Sequence, residues 1–252
     1  MKAPPAAKRV TAPAPIRSLR EEVYERLRSL MSQGRLRPGK YLDLNALARQ
    51  IGISRTPLRD ALLRLECEGF VEIHNRKGVR VAPLTLTVIR DIYEIVGALE
   101  SAALRSVAAR ITPDIVARME ELDREMVRAL DKLDFDRFYA ANLKFHDSFL
   151  LLSENAELVR WVHTLKQRLY DFPRLKGFLP EWERASVEEH QAIVRFLKTG
   201  SVAAAADLLR DVHWSFTYQE PFVRRYYHLQ NAGATAEDGR GFSRRHQRGG
   251  SS

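Results

Sequence analysis

Residues 42–83 limit the possible folds more than any other stretch. LDLNALARQIG (42–52) places Leu44, Leu47, Ala48 and Ile51 on one face at helical spacing, and Gly52 ends the run. After a tight turn, SRTPLRDALLRLECEGF opens on Ser54 and buries Leu58, Ala61, Leu62 and Leu65. Pro57 is tolerated because it falls in the first helical turn. FVEIHNRKGVRVAP then alternates apolar and polar residues on either side of a basic turn, Arg76, Lys77 and Gly78, which predicts a short hairpin. A further helix precedes them at 18–34, with Ser18 as its cap and Leu19, Val23, Leu27, Leu30 and Met31 on one face. Helix, short helix, turn, helix and basic hairpin compose a winged helix-turn-helix over residues 18–83.

Arg55, Thr56 and Arg59 lie opposite the leucines of the third helix, near its N-terminal end. That end of the second helix of the motif meets base edges in the major groove, and a guanidinium fork suits the O6 and N7 of guanine. An ordinary solvated face would also carry two arginines, so the charge distribution matters. Residues 1–83 hold 17 Lys/Arg against 8 Asp/Glu, residues 84–230 hold 20 against 22, and the last 22 residues hold 4 against 2. The basic excess thus sits where the groove-reading helix and the wing are, as expected of a nucleic-acid-binding module joined to a near-neutral one. The Pro/Ala-rich start (1–17) and the Gly/Ser/Arg-rich end (231–252) read as a disordered arm and tail. A single cysteine, Cys67, fits a reducing cytosol. The absence of any long apolar run argues against a membrane span and for a cytoplasmic protein.

Beyond Pro83 the pattern is wholly helical, so the chain as a whole reads as mostly α. Six helices are predicted: about 85–110, one capped by Thr112-Pro113, one from Asp134 to about Ser153, then 156–172, 181–198, and one from Ser201 to the Tyr226 region. Together they make an all-α bundle over residues 84–230. Polar residues interrupt three of its apolar stripes. Asn142 and His146, four apart, share the stripe of Phe138, Phe145 and Phe149; His190 lies among Val187, Ile193 and Val194; His213 follows Leu209 and Val212. Three imidazoles and an amide directed inward either satisfy one another through water or bind a cation, and neutral imidazole suits Zn, Ni, Fe or Cu. His163 falls off its helix's stripe and reads as exposed, and Glu188 and Glu189 read as solvated charges. No nucleophile elbow or phosphate loop appears, so no catalytic residue is assigned.

These stretches resemble the GntR family of bacterial transcription regulators. RPGKYLDLNALARQIGISRTPLRDALLRLECEGFVEIHNRKGVRV is similar to that family's DNA-binding domain. ANLKFHDSFLLLSEN and EEHQAIVRFLKTGSVAAAADLLRDVHW are similar to the FadR-like (FCD) effector domain. The resemblance implies that Arg55, Thr56, Arg59, Arg76, Lys77 and Gly78 contact DNA. It also implies that Asn142, His146, His190 and His213 hold a divalent transition metal, Zn or Ni, which helps bind a small carboxylate effector. Leu44 and Asn45 stand where the family often has a Glu-Arg pair, Val96 where it often has an arginine, and Asn142 where an aspartate is common. The expected function is a sequence-specific regulator, a repressor working as a homodimer on a double-stranded DNA operator and controlled by an organic-acid metabolite. The alternatives are a constitutive DNA-binding dimer without effector and a three-histidine metal-dependent enzyme.

Overall fold

The structure is a computed structural model that describes residues 18–170 and 179–226. The termini expected to be an arm and a tail, and the last residues expected of the helix ending at Phe172, lie outside the described residues.

The N-terminal module contains α1 (Leu19–Ser32), α2 (Leu44–Ile51), α3 (Arg55–Cys67) and the strands β1 (Val71–His74) and β2 (Gly78–Val81). Side chains cap the first two helices: Glu21 N–H donates to Ser18 Oγ, and the amides of Asn45 and Ala46 donate to Asp43 Oδ1. Ser54 occupies the cap position of α3 but makes no side-chain bond there. Gly52 ends α2 at φ +79°, a left-handed conformation that a side chain would strain, and so permits the sharp entry into α3. The strands pair antiparallel with Val71 opposite Val81 and His74 opposite Gly78. The three helices and the hairpin share one core, with Leu27, Leu30, Leu58, Leu65 and Val81 at its centre.

The second module begins at α4 (Leu86–Ser106) and continues through α5 (Pro113–Asp131), α6 (Phe135–Leu150), α7 (Ala156–Tyr170) and α8 (Pro180–Lys198). Thr112 caps α5 with Pro113 at its first position, as the sequence predicts. The sixth expected helix is not continuous. It divides into α9 (Val202–Leu208), a π-helical turn (Leu209–His213), a break at Trp214–Ser215, and α10 (216–226). At this point α4 and the segment lie very close. A Cβ added at Gly97 would come within 2.9 Å of Trp214 Cβ and 3.5 Å of the Arg210 backbone. The bundle's core is separate from the first and centres on Val96, Leu104, Met119, Phe145, Phe149 and Ile193.

The modules touch through α7. Arg28 Nη1 on α1 donates to Gln167 Oε1 at 2.8 Å, and the Arg168 guanidinium lies over Gly69, just past α3. No described helix is long and apolar enough to cross a membrane.

Candidate metal centre and nucleic-acid interface

On α3 the leucines face inward, so Arg55, Thr56 and Arg59 are exposed on the opposite side. Arg76, Lys77 and Gly78 are exposed at the tip of the hairpin. Arg76 takes φ +67° and Gly78 φ +95°, so the wing turn bends through two left-handed residues. Arg55 Nη2 donates to Asn45 Oδ1 at 2.7 Å, which links α3 to α2 on this face. Asn45, which the sequence marks only as a departure from a pattern, therefore positions the first of the two arginines.

In the bundle, α6, α8 and the π turn bring His146, His190 and His213 together. One nitrogen from each ring can be chosen so that all three lie within 4.8 Å of one another. Ring centroids stand 5.2 Å apart for His146–His190 and His146–His213, and 4.8 Å for His190–His213. All three are buried. Asn142 sits one turn before His146 on α6, also buried, and its Oδ1 has no hydrogen-bond partner.

Two of the outer nitrogens have acceptors. His146 Nδ1 donates to Glu100 Oε2 at 2.7 Å, and His213 Nδ1 donates to Glu189 Oε2 at 2.7 Å. His190 Nδ1 lies 3.6 Å from Asp123 Oδ1, beyond hydrogen-bond reach. Carboxylates behind two of the rings fix their tautomers and leave Nε2 as a free lone pair, an arrangement common around metal-bound histidines. The Nε2 atoms of His146 and His190 are buried without a partner.

The electrostatics agree. Burial pushes the His146 imidazole down to about 4, against the pull of Glu100, and holds His190 well below its usual range. Burial opposes ionisation of Glu100, but His146 and Lys166 together keep its carboxyl far below the normal carboxylate range. Neutral imidazoles with inward lone pairs, orphaned buried nitrogens and an unsatisfied amide oxygen form a donor set that fits a divalent transition metal.

Glu100 is the residue that sequence reasoning missed. It is wholly buried on α4 and accepts from His146, from Lys166 Nζ at 2.9 Å and from Trp214 Nε1 at 2.8 Å. Lys166, Asp123 and Glu100 all interrupt apolar stripes as the histidines do, so the same signal was available. Two readings need correction. Glu189 is not a solvated charge: it accepts from His213 and from Gln219 Nε2, because the π turn swings His213 over α8. His163 is half-buried and bonds Asp147 Oδ1 at 2.8 Å, although it stays outside the imidazole cluster as expected.

Next to the cluster lies a cavity of about 70 Å³, lined by Asn142, His213 and Glu189 and walled by aromatic residues including Tyr93, Phe138, Trp182 and Trp214. Val96, where the family resemblance implies an arginine, is buried in the bundle core and is uncharged.

The comparisons with known proteins agree with this architecture. Residues 19–81 match the family described as bacterial regulatory proteins, gntR family, and residues 91–213 match the FCD domain. An HTH-type transcriptional regulator from the TAR-I ttuE-ttuC' intergenic region of Agrobacterium vitis is 33% identical over 130 residues, 50% of this chain and 76% of the relative. The Nta operon transcriptional regulator of Aminobacter aminovorans is 31% identical over 163 residues, 64% of this chain and 75% of the relative. Among solved structures, Escherichia coli McbR/YncC superposes with a TM-score of 0.65 at 23% identity, covering 84% of this chain and all of the other. These proteins are regulators, not enzymes, so the reading as a metal-dependent enzyme falls away. An exposed arginine-bearing helix with a basic wing, joined to a bundle of this kind, places the chain in the GntR family of bacterial transcription regulators, with an FCD domain as its second module.

Proposed function

We propose that this regulator is a repressor whose two protomers bind a pseudo-palindromic operator and release it when a small metabolite enters the bundle. The exposed row Arg55, Thr56 and Arg59 at the start of α3, opposite a buried leucine face, carries this reading. In it, α3 enters the major groove, while Arg76 and Lys77 on the wing supply phosphate contacts. His146, His190 and His213, with Asn142, hold a divalent transition metal, zinc or nickel. When bound, the metal supplies a fixed positive charge that ties α6, α8 and the π turn together. Glu100 and Glu189 hold two of the rings with Nε2 facing inward. The adjoining cavity is the effector site, and an effector acts by binding one dimer geometry better than the other.

Mobility of labelled DNA from the neighbouring promoter tests the whole. Arg59→Ala is expected to cost about 1–3 kcal/mol of specific binding and to relax one base preference. An unchanged binding profile removes α3 from the groove. Elemental analysis of the purified protein is expected to find one metal per chain, lost in His146→Ala. A metal-free wild type whose melting temperature ignores added Zn or Ni overturns the metal assignment.

A further inference from the structure

Two of the three imidazoles have a carboxylate on the nitrogen that points away from the cluster: Glu100 behind His146 and Glu189 behind His213, each at 2.7 Å. His190 is the exception. Its Nδ1 is buried without a hydrogen-bond partner, Oδ1 of Asp123 is buried without one too, and these two atoms stand 3.6 Å apart. Each is what the other lacks, a ring nitrogen able to donate and a carboxyl oxygen able to accept. Asp123 lies on the inward face of α5, one turn from both Met119 and Met126, and is 4% exposed. Closing the gap to an ordinary hydrogen bond takes about half an ångström.

Packing explains why His190 needs such a partner. Phe145 stacks on its ring, with centroids 4.1 Å apart and planes 18° from parallel. Stacking fixes the plane of an imidazole but not its edge. A half-turn about the Cβ–Cγ bond keeps the plane and exchanges the places of ring nitrogens and carbons. Glu100 and Glu189 break that tie for the other two rings, and Asp123 is placed to break it for this one. Acceptance does not depend on charge. Burial pushes Asp123 up to about 8, but the carbonyl oxygen of a neutral carboxyl still accepts an N–H. With Nε2 given to a metal, Nδ1 of a neutral imidazole must carry the ring proton, so donor and acceptor match.

We propose that Asp123 is the positioning residue of His190: it accepts the Nδ1–H and holds Nε2 toward His146 and His213, so that every imidazole of the cluster stands on a carboxyl. The proposal rests on the reading of the three histidines as a metal site and adds a residue behind the ligands rather than among them.

The test uses the full chain, stripped with a chelator and titrated with zinc at pH 7 against a competing chelating dye. Asp123→Leu occupies a similar volume and cannot accept. It is expected to weaken zinc binding about tenfold or more. Asp123→Asn keeps an acceptor oxygen and is expected to restore most of that loss. Metal-free melting separates positioning from packing. The leucine variant removes a buried carboxyl that has no partner, so its metal-free melting temperature is expected to hold or rise while zinc affinity falls. Long-range proton–nitrogen spectra of the zinc-loaded wild type are expected to show three ring Nδ1–H protons slow to exchange with solvent, against two in Asp123→Leu. Only two such protons in the wild type, three remaining in Asp123→Leu, a loss of affinity matched by lower metal-free stability, or Asp123→Asn as weak as Asp123→Leu would each overturn the proposal. A wild type that binds no zinc overturns the metal reading and the proposal with it. Equal binding by wild type and Asp123→Leu overturns the proposal alone, so the two can fail separately.

Discussion

Glu100 receives three donors while wholly buried, and removing it exposes how the cluster is held. Glu100→Ala would leave Lys166 as a buried, unpaired cation and His146 without its orienting acceptor. Loss of one partner of such a pair costs about 3–5 kcal/mol, readable as a lower urea midpoint. The double change Glu100→Gln with Lys166→Met is expected to recover much of that loss, because no bare charge remains. The histidines also set a pH dependence for the metal-free protein. His146 titrates near 4 in the fold, and His190 lies well below its usual range, whereas an unfolded histidine titrates near 6.5. Between those values the unfolded chain binds more protons, so stability falls as pH drops from about 6.5 toward about 4. Glu183 works in the other direction. Its folded value is raised to about 8, so its contribution is complete below about 4.5 and is lost as pH rises through 8. Asp123, likewise raised to about 8 by burial, adds to this loss. Urea unfolding with a chelator present should therefore give a rounded optimum, and Glu183→Gln should remove part of the fall on its alkaline side. At this scale the three histidines were legible because each interrupts an apolar stripe. Asp123, Glu100 and Lys166 interrupt stripes in the same way. Glu100 and Lys166 escaped notice because an ion pair between α4 and α7 cannot be read from either helix alone, and Asp123 because its neighbour His190 lies on a distant helix.

At the scale of elements, period and caps foretold nearly every boundary: Ser18, Thr112 and Asp134 each bond an amide in the first turn of the following helix, and Asp43, which the sequence reading placed inside the second helix, caps it as well. The break after His213 was not legible. VAAAADLLRDVHWSFTY contains no glycine or proline, and its apolar spacing suits one unbroken helix. Where it divides, it packs against α4 at Gly97, a long-range contact with no local signature. Gly97→Ala tests this. The added methyl meets Trp214 Cβ, which cannot rotate away, so α4 and the π turn must separate. Overpacking of this kind costs about 1–3 kcal/mol. The expected readout is a lower melting temperature together with weaker metal retention, since His213 and Trp214 both shift. Gly97→Ser should behave alike, whereas Gly200→Ala, where the added atom meets nothing, should cost only the strain of a left-handed residue.

Across the whole molecule, charge divides the chain as its cores do. The basic excess marks the module that faces DNA, and the near-neutral remainder forms the second core. That division was readable early, because composition follows partner. How the modules meet was not, because it depends on two side chains of α7. Lys166 reaches inward to Glu100, while the next two residues, Gln167 and Arg168, meet α1 and Gly69. One helix therefore reaches both the carboxylate behind the imidazole cluster and the DNA-binding module. Gln167→Ala is expected to leave metal content unchanged and to alter the difference in operator affinity between effector-bound and effector-free protein by about 0.5–2 kcal/mol. Operator affinity should also fall steeply with salt, and Lys77→Ala should lower the slope of log affinity against log salt by about one.

The π turn at Leu209–His213 amounts to an α-helix with one residue too many. Each residue of a helix turns it by about 100°, so deleting a single position there would restore regular winding and rotate the last imidazole away from its two companions. The convergence of the three imidazoles thus depends on a count of residues as well as on the side chains themselves. A deletion that leaves every named donor in the gene would still take the cluster apart.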